Sequence, residues 1–194
     1  MQAPVAVLLA AGLGERYDPT GQSLKLLQPV QAGKHAGLPM VVAAARNLKS
    51  AVERTLAVVR PHNHPHQPRL HELLQREGCE LVLCEQAAMG MGESLACGIH
   101  ASTNAGAWIV ALGDMPAIDP ATIAAVAGAL RAGHVTAAPV YRGQRGHPVG
   151  FSAQCLTELL RSDGDRGARA VLEKFPPHLI EVDDDGILID IDLR

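Results

Sequence analysis

Short apolar runs alternate along this chain with longer segments in which apolar residues recur at helical spacing. A run that is apolar at consecutive positions predicts a strand buried on both faces, as in a parallel sheet. The first such run begins at Val5 and ends before Gly12, and later runs cover residues 55–59, 81–84, 107–112 and 135–140. Predicted helices cover residues 39–48, 69–76 and 120–132, and another begins near Glu93 or Ser94. This alternation is typical of an α/β protein with a mostly parallel central sheet and helices on both faces.

Length, charge and cysteine content narrow the class. The 194 residues suffice for one sizeable core, and we expect a single domain over residues 1–194. A net charge of −3 excludes a global basic surface for nucleic acid or membrane binding. The apolar start lacks the basic residues of a signal peptide, and no later run reaches the about 18 residues of a membrane span, so we expect a cytoplasmic protein. The 4 cysteines form no C-x-x-C pair, which favours reduced thiols.

The loop after the first strand has the composition of a phosphate-binding loop. Gly12 and Gly14 lack Cβ atoms, so the chain can turn sharply and bring its N–H groups close to a phosphate. Arg16 and Lys25 add positive charge. Tyr17 stands where a dinucleotide-binding fingerprint needs a third glycine or alanine, and no Walker-type loop occurs.

Two further motifs follow strands or precede helices. Gly90 and Gly92 flank Met91, which allows close backbone approach to a ligand, and Ser94 offers a hydroxyl. Asp114 comes directly after Gly113 at the end of a buried run, where open α/β sheets bind their ligands.

Other features have ordinary structural explanations. Asp119 is well placed to cap the helix that begins at Pro120, which leaves Asp114 for chemistry. Histidines 62, 64 and 66 alternate in a proline-rich loop, but no fourth ligand is near in sequence, so we do not expect a metal there. Asp185-Gly186 is a turn signal that predicts a small β-hairpin near the C-terminus.

Taken together, these segments resemble the molybdenum cofactor cytidylyltransferases and guanylyltransferases, a family of nucleotidyltransferases. The resemblance rests on L-A-A-G-x-G-x-R with a downstream lysine, G-M-x-x-S-L-x-x-G, the G-D-M-P strand end, H-P-V-G-F, G-D-R-G-A-R and D-I-D, in the family order. The spacer before Lys25 is longer than the family's, and the chain stops soon after the D-I-D element. The resemblance implies a three-layer, Rossmann-like nucleotidyltransferase fold.

The resemblance also implies roles for individual residues. The catalytic residues would be Arg16, Lys25 and Asp114. The nucleotide would contact Leu9, Ala10, Ala11, Gly12, Gly14, Gly90, Met91, Ser94 and Gly113. The acceptor would contact His147, Pro148, Asp165 and Arg169. Mg²⁺ would be the cofactor, with metal ligands Asp114 and one C-terminal aspartate, Asp190 being favoured over Asp192.

The implied reaction transfers a nucleoside monophosphate from a nucleoside triphosphate to molybdopterin and releases pyrophosphate. L-A-A-G, where the guanylyl branch more often has L-A-G-G, favours CTP over GTP. A molybdoenzyme or its maturation chaperone would be a further partner. The alternatives are guanylyl transfer, nucleotidyl transfer to a sugar or another phosphate, and a non-catalytic nucleotide-binding protein of cofactor maturation. The longer spacer and the short C-terminal element favour the last of these.

Overall fold

In the part of the chain that the structure describes, the fold is built on one open sheet of 8 strands in the order β3-β2-β1-β4-β7-β5-β6, with β8 paired to β5. The computed structural model describes residues 3–14, 17–20, 22–62, 65–162, 164 and 167–191. The strands are β1 Val5–Leu9, β2 Arg54–Val59, β3 Glu80–Leu83, β4 Ala107–Leu112, β5 Thr136–Tyr141, β6 Gln144–Arg145, β7 Val149–Ser152 and β8 His178–Glu181. Strands β1 to β4 are mutually parallel, whereas β7 runs antiparallel between β4 and β5.

Helices cover both faces of this sheet. They are α1 Met40–Ala51, α2 Gln67–Arg76, α3 Met91–His100, α4 Pro120–Arg131, α5 Leu156–Leu160 and α6 Arg169–Lys174. Alternate residues of β1 belong to separate cores: Ala6 and Leu8 pack with α1, α2 and α4, while Val5 and Val7 pack with α3, α5 and α6. Both faces of β1 are therefore dry, which explains its unbroken apolar sequence.

The predicted three-layer α/β architecture is confirmed. Each of the five predicted strands is present, and the one predicted over residues 107–112 has those bounds. Asp119 caps α4, since its side chain accepts a hydrogen bond from the Ala121 N–H. None of the helices in the described part of the chain combines the length and hydropathy needed to cross a bilayer.

The predicted C-terminal hairpin is wrong. Asp185–Leu188 forms a 3₁₀ helix, and the strand before it, β8, pairs in parallel with β5. The Asp184 carboxylate organises this segment, because it accepts hydrogen bonds from the Gly186 N–H, the Asp119 N–H and the Thr122 hydroxyl. Gly186 also packs so closely on the Ala117 carbonyl that a Cβ would clash. Tertiary contacts to the start of α4 thus override the local turn signal.

The expectation of four reduced thiols is also wrong. Cys84, which directly follows β3, forms a disulfide with Cys97 of α3, across a Cα–Cα distance of 6.0 Å. Sequence spacing gave no sign of this pair, because the fold rather than a C-x-x-C motif brings the two residues together. Cys79 and Cys155 are free and buried, and burial raises the pKa of each thiol to about 11. At neutral pH these two thiols stay protonated and unreactive.

The disulfide should contribute measurably to stability. It spans 13 residues of sequence, and closing a loop of this size stabilises a protein by about 3 kcal/mol. We therefore expect dithiothreitol to lower the melting temperature by about 6–12 °C, since 1 kcal/mol corresponds to about 2–4 °C at this chain length. In the Cys97→Ser variant, dithiothreitol should have no such effect. Thiol counting on the denatured, unreduced protein should find only Cys79 and Cys155 reactive; four reactive thiols would contradict the pairing.

Candidate active site

The carboxyl ends of β1 and β4 lie side by side and create the site. The strands pair in parallel with Leu9 opposite Leu112, so the loops that follow them leave the sheet together. The Gly113 N–H donates to the Leu9 carbonyl at 3.0 Å, which extends the pairing by one residue beyond β4. The loop of residues 10–14, hereafter the glycine loop, therefore starts next to Asp114.

Lys25 returns to the glycine loop despite the long spacer before it. Gly14 has φ +68°, and its carbonyl accepts hydrogen bonds from the N–H groups of Tyr17 and Asp18. The Asp18 carboxylate then binds the hydroxyl and N–H groups of both Thr20 and Ser23. These hydrogen bonds, led by the Thr20 hydroxyl, hold the pKa of Asp18 well below its usual value. Asp18, Thr20 and Ser23 of the spacer are thus joined in a hydrogen-bonded turn.

Gly14 and Lys25 are in direct contact. A Cβ built on Gly14 would lie 2.8 Å from the Lys25 Cβ, and the positive φ independently favours glycine there. Lys25 begins the 3₁₀ helix Lys25–Leu27, and its side chain is only 8% exposed.

Lys25 and Asp114 form the central ion pair of the site. The Lys25 Nζ lies 2.7 Å from the Asp114 Oδ2, and the Asp114 side chain is 26% exposed. The two residues are 89 positions apart in sequence, so their contact follows from the pairing of β1 with β4. Both were predicted as catalytic residues, and the structure places them together.

A first cavity, of about 300 Å³, opens beside this ion pair. It is lined by Leu9, Ala11, Gly12, Gly14, Lys25, Leu26, Ala87, Gly90, Met91, Ser94, Leu112 and Asp114. Most residues expected to contact a nucleotide thus surround one space. Ala10 and Gly113 do not line it: the Ala10 N–H binds the Val58 carbonyl, and Gly113 packs against Leu9 and Leu26.

Gly90 is confined by close contact with the backbone of Gly164. Its φ is +143°, and a Cβ there would lie 2.5 Å from the Gly164 carbonyl carbon. Helix α3 begins at the next residue, so the close approach of Gly90 to Gly164 fixes where Met91 and Ser94 face the cavity.

A second cavity, of about 400 Å³, adjoins the first and shares Leu9, Met91 and Leu112 with it. Its remaining lining is Leu95, Val110, Arg145, Gly146, His147, Val149, Phe151, Gly167, Ala168, Arg169 and Leu172. The cavity combines an apolar floor with two cationic side chains and one imidazole. Of the residues expected to contact an acceptor, His147 and Arg169 line this space, whereas Pro148 is buried outside the lining.

His147 is held in the wall of the second cavity. Its N–H donates to the Ile187 carbonyl at 3.0 Å, and the following peptide bond to Pro148 is cis. The buried Nδ1 has no hydrogen-bond partner among the described residues. Burial lowers the pKa of His147, and the negative charges of Asp114 and Asp190 partly oppose this effect. At neutral pH the ring is therefore neutral.

The C-terminal segment returns to the same edge of the sheet. The Ile191 N–H donates to the Asp114 carbonyl at 3.1 Å, and Ile191 packs against Val30, Met40 and Ala43. Asp190 is exposed beside this junction. Among the residues that the structure describes, no group of three or more His, Cys, Asp or Glu side chains could hold a metal by itself.

Three predicted site residues, Arg16, Asp165 and Asp192, lie outside the described residues. Arg169 begins α6 with its side chain 80% exposed, and it pairs with Glu173 one turn later. This ion pair provides a partner for a cation that is otherwise disfavoured in the first turn of a helix.

Several lining residues were not predicted from the sequence. Leu112 ends β4 and Leu26 follows Lys25, so both could have been found from their neighbours. Ala87 carries no chemical signal, because only the fold brings the 3₁₀ helix Glu85–Met89 to the cavity.

Solved structures of several proteins share this fold. Rv0371c from Mycobacterium tuberculosis H37Rv has a TM-score of 0.80 at 23% identity, over 99% of this chain and 94% of that one. Its manganese complex has a TM-score of 0.71 at 21% identity, over 94% of this chain and 88% of that one.

Two more distant structures carry ligand or pathway names. CMP:2-keto-3-deoxy-manno-octonic acid synthetase complexed with CTP has a TM-score of 0.68 at 14% identity, over 92% of this chain and 89% of that one. The molybdopterin-guanine dinucleotide biosynthesis protein A from Archaeoglobus fulgidus has a TM-score of 0.64 at 17% identity, over 92% and 83%. At these identities, the likeness shows the fold alone.

A comparison with curated protein sequences finds no match. The family model of the MobA-like NTP transferase domain, however, matches residues 6–180, which include both strands and both loops that build the site. The chain therefore belongs to the MobA-like NTP transferase family.

Proposed function

We propose that this protein transfers a cytidylyl group from CTP to the phosphate of a molybdopterin-type acceptor and releases pyrophosphate. The observation that carries the proposal is the pair of adjoining cavities, which share a wall at the Lys25–Asp114 end of the sheet. Their volumes, about 300 Å³ and about 400 Å³, fall in the range of small-molecule sites. One cavity would hold the donor and the other the acceptor.

The reaction itself needs mainly positioning and neutralisation of charge. An ionised oxygen of the acceptor phosphate forms a bond to the α-phosphorus, while the bond from that phosphorus to the β-phosphate oxygen breaks and pyrophosphate leaves. The attacking oxygen carries no proton, so no general base is required. Both reactants are anions, and holding them in line against their repulsion is the protein's task.

Lys25 is the described residue best placed to neutralise the triphosphate. An ammonium group carries three N–H donors, so Lys25 can keep its contact with Asp114 while it binds a phosphate oxygen. Because its side chain is nearly buried, little water screens this charge. The glycine loop adds main-chain N–H groups beside it.

The carboxylates at this edge fit Mg²⁺ bound together with a nucleotide. Mg²⁺ usually takes one or two carboxylates and completes its shell with phosphate oxygens and water. Asp114 and Asp190, which the Ile191–Asp114 hydrogen bond brings to the same edge, would hold it. When bound, Mg²⁺ would neutralise negative charge on the phosphates.

The second cavity suits an acceptor with an apolar body and an anionic group. Val149, Phe151 and Leu172 provide apolar surface, and Arg145 and Arg169 provide positive charge at the same space. His147, whose pKa is lowered by burial, adds a neutral imidazole to the same lining. A pterin that carries a phosphate combines these properties.

Ala11 supports the choice of CTP over GTP. It lines the first cavity and is nearly buried, so its methyl group takes space that a glycine would leave free. A pyrimidine needs less room than a purine. The same position distinguishes L-A-A-G from L-A-G-G.

Pyrophosphate release tests the proposal directly. With molybdopterin and Mg²⁺, CTP should support release at least about tenfold faster than GTP, a ratio typical of discrimination by cavity size. Omission of the acceptor or chelation of the metal should abolish it. Faster turnover with GTP would overturn the nucleotide assignment, and no release with any nucleotide would leave a binding protein.

Asp114→Asn tests the role of the carboxylate. We expect turnover to fall by about a hundredfold or more, the scale of losing one electrostatic catalytic contact. The asparagine amide oxygen can still accept the Lys25 hydrogen bond, so the melting temperature should change little. A folded variant with near wild-type turnover would remove Asp114 from the mechanism.

Lys25→Met and Lys34→Met form a matched pair. Methionine keeps most of the buried stem of Lys25 but removes the charge, so CTP affinity should fall by about tenfold or more, as for a lost charged hydrogen bond. Lys34 is exposed, and its substitution should be neutral. Calorimetry at one ionic strength measures both affinities. A larger effect at Lys34 would show that the wrong lysine has been assigned to the triphosphate.

A further inference from the structure

The side chain of Arg60 contacts the glycine loop. This residue directly follows β2, and its side-chain Nε donates a hydrogen bond to the Ala11 carbonyl at 2.7 Å. The preceding residue of the loop is also tied to β2, because the Ala10 N–H donates to the Val58 carbonyl at 2.9 Å. Arg60 lines neither of the two cavities. Its hydrogen bond to the glycine loop is made with the Ala11–Gly12 peptide.

The hydrogen bond from Arg60 fixes the orientation of the Ala11–Gly12 peptide. The Ala11–Gly12 bond is trans, and in a trans peptide the C=O and the next N–H point in opposite directions. With the Ala11 carbonyl turned to Arg60, the Gly12 N–H points away from Arg60, and Gly12 itself lines the first cavity.

Gly12 itself has room to rotate. It is exposed, and a Cβ built on it would meet nothing within 4 Å. Glycine is also free to rotate into most backbone conformations. A flip of this peptide would turn a carbonyl oxygen, with its partial negative charge, toward a bound triphosphate. The Arg60 hydrogen bond opposes that flip.

Arg60 is in turn fixed by a buried histidine. The His71 Nε2 lies 2.8 Å from the Arg60 carbonyl, and because a carbonyl can only accept, Nε2 carries the proton. The His71 Nδ1 then accepts from the Nε2 of His62, 3.2 Å away. Burial lowers the pKa of His71, which favours the neutral ring that this arrangement needs. His62, one of the alternating histidines of the proline-rich loop, thus takes part in supporting the glycine loop.

We propose that Arg60 is a positioning residue for nucleotide binding, which orients the Gly12 N–H by holding the Ala11 carbonyl. The inference rests on the proposed function, because it assumes that the triphosphate occupies the glycine loop. The effect of Arg60 would come from its Nε–H hydrogen-bond donor and not from its charge.

Two substitutions separate the donor from the charge. Arg60→Gln places an amide nitrogen at the same number of bonds from Cα as the arginine Nε, so it keeps the donor and loses the charge. Arg60→Met has a similar length and neither property. We expect Arg60→Met to weaken CTP binding and raise KM about tenfold, with kcat changed less than about threefold. Arg60→Gln should restore most of the affinity. Arg54→Met at the opposite end of β2, where Arg54 pairs with exposed Glu80, is the matched control and should be neutral.

The measurement is CTP affinity by calorimetry beside KM and kcat, with thermal melting of every variant. Equal losses for Arg60→Gln and Arg60→Met would overturn the inference in favour of a charge effect, and wild-type affinity in Arg60→Met would overturn it entirely. If Arg60→Met does not fold, the test rests on Arg60→Gln: weak CTP binding by the folded Arg60→Gln variant would also overturn the inference. Lys25→Met separates failure of the proposed function from failure of this inference. Unchanged CTP affinity in Lys25→Met would count against the proposed function. A loss of affinity in Lys25→Met with none in Arg60→Met would count against the inference alone.

Discussion

Parallel pairing of β1 with β4 is the constraint on which the site depends. It sets two loops from distant parts of the chain side by side at one edge of the sheet, so that a lysine and an aspartate meet at 2.7 Å. The contact gives a hydrogen-bond partner to a lysine whose side chain is only 8% exposed, and buried polar groups need such partners. The ion pair therefore anchors the spacer that carries Lys25, and both cavities are arranged around the strand ends that hold it.

The central sheet could be predicted because the burial of each strand is visible in its own sequence. The run over residues 107–112 is apolar at every position since both faces are covered, and a glycine ends it. The C-terminal segment could not be predicted in the same way. The turn signal at Asp185-Gly186 was real, but long-range contacts decided the geometry. They are the hydrogen bonds of the Asp184 carboxylate to Asp119 and Thr122 and the packing of Gly186 on the Ala117 carbonyl. Local propensity yields where long-range contacts are this specific.

The site shows the same division. Lys25 and Asp114 belong to motifs with recognisable glycine neighbours, so the amino-acid sequence alone indicates them. Arg60 and His71 belong to no motif, and their contact with each other and with the glycine loop depends on the packing of α2 beside β2. The Cys84–Cys97 pair depends likewise on where α3 crosses the sheet. Residues such as Arg60 and His71, which would support a loop through tertiary contacts, have no sequence pattern of their own.

The wall shared by the two cavities has an evolutionary consequence. Leu9, Met91 and Leu112 border both spaces, so under the proposed assignment of the cavities a change in size at any of them would alter the fit of donor and acceptor at once. Selection on one substrate alone is then confined to positions that face a single cavity, such as Ser94 on one side and Phe151 on the other. Under that assignment, one substitution in the shared wall would change the pairing of nucleotide and acceptor, whereas tuning of one substrate alone would use positions outside the wall.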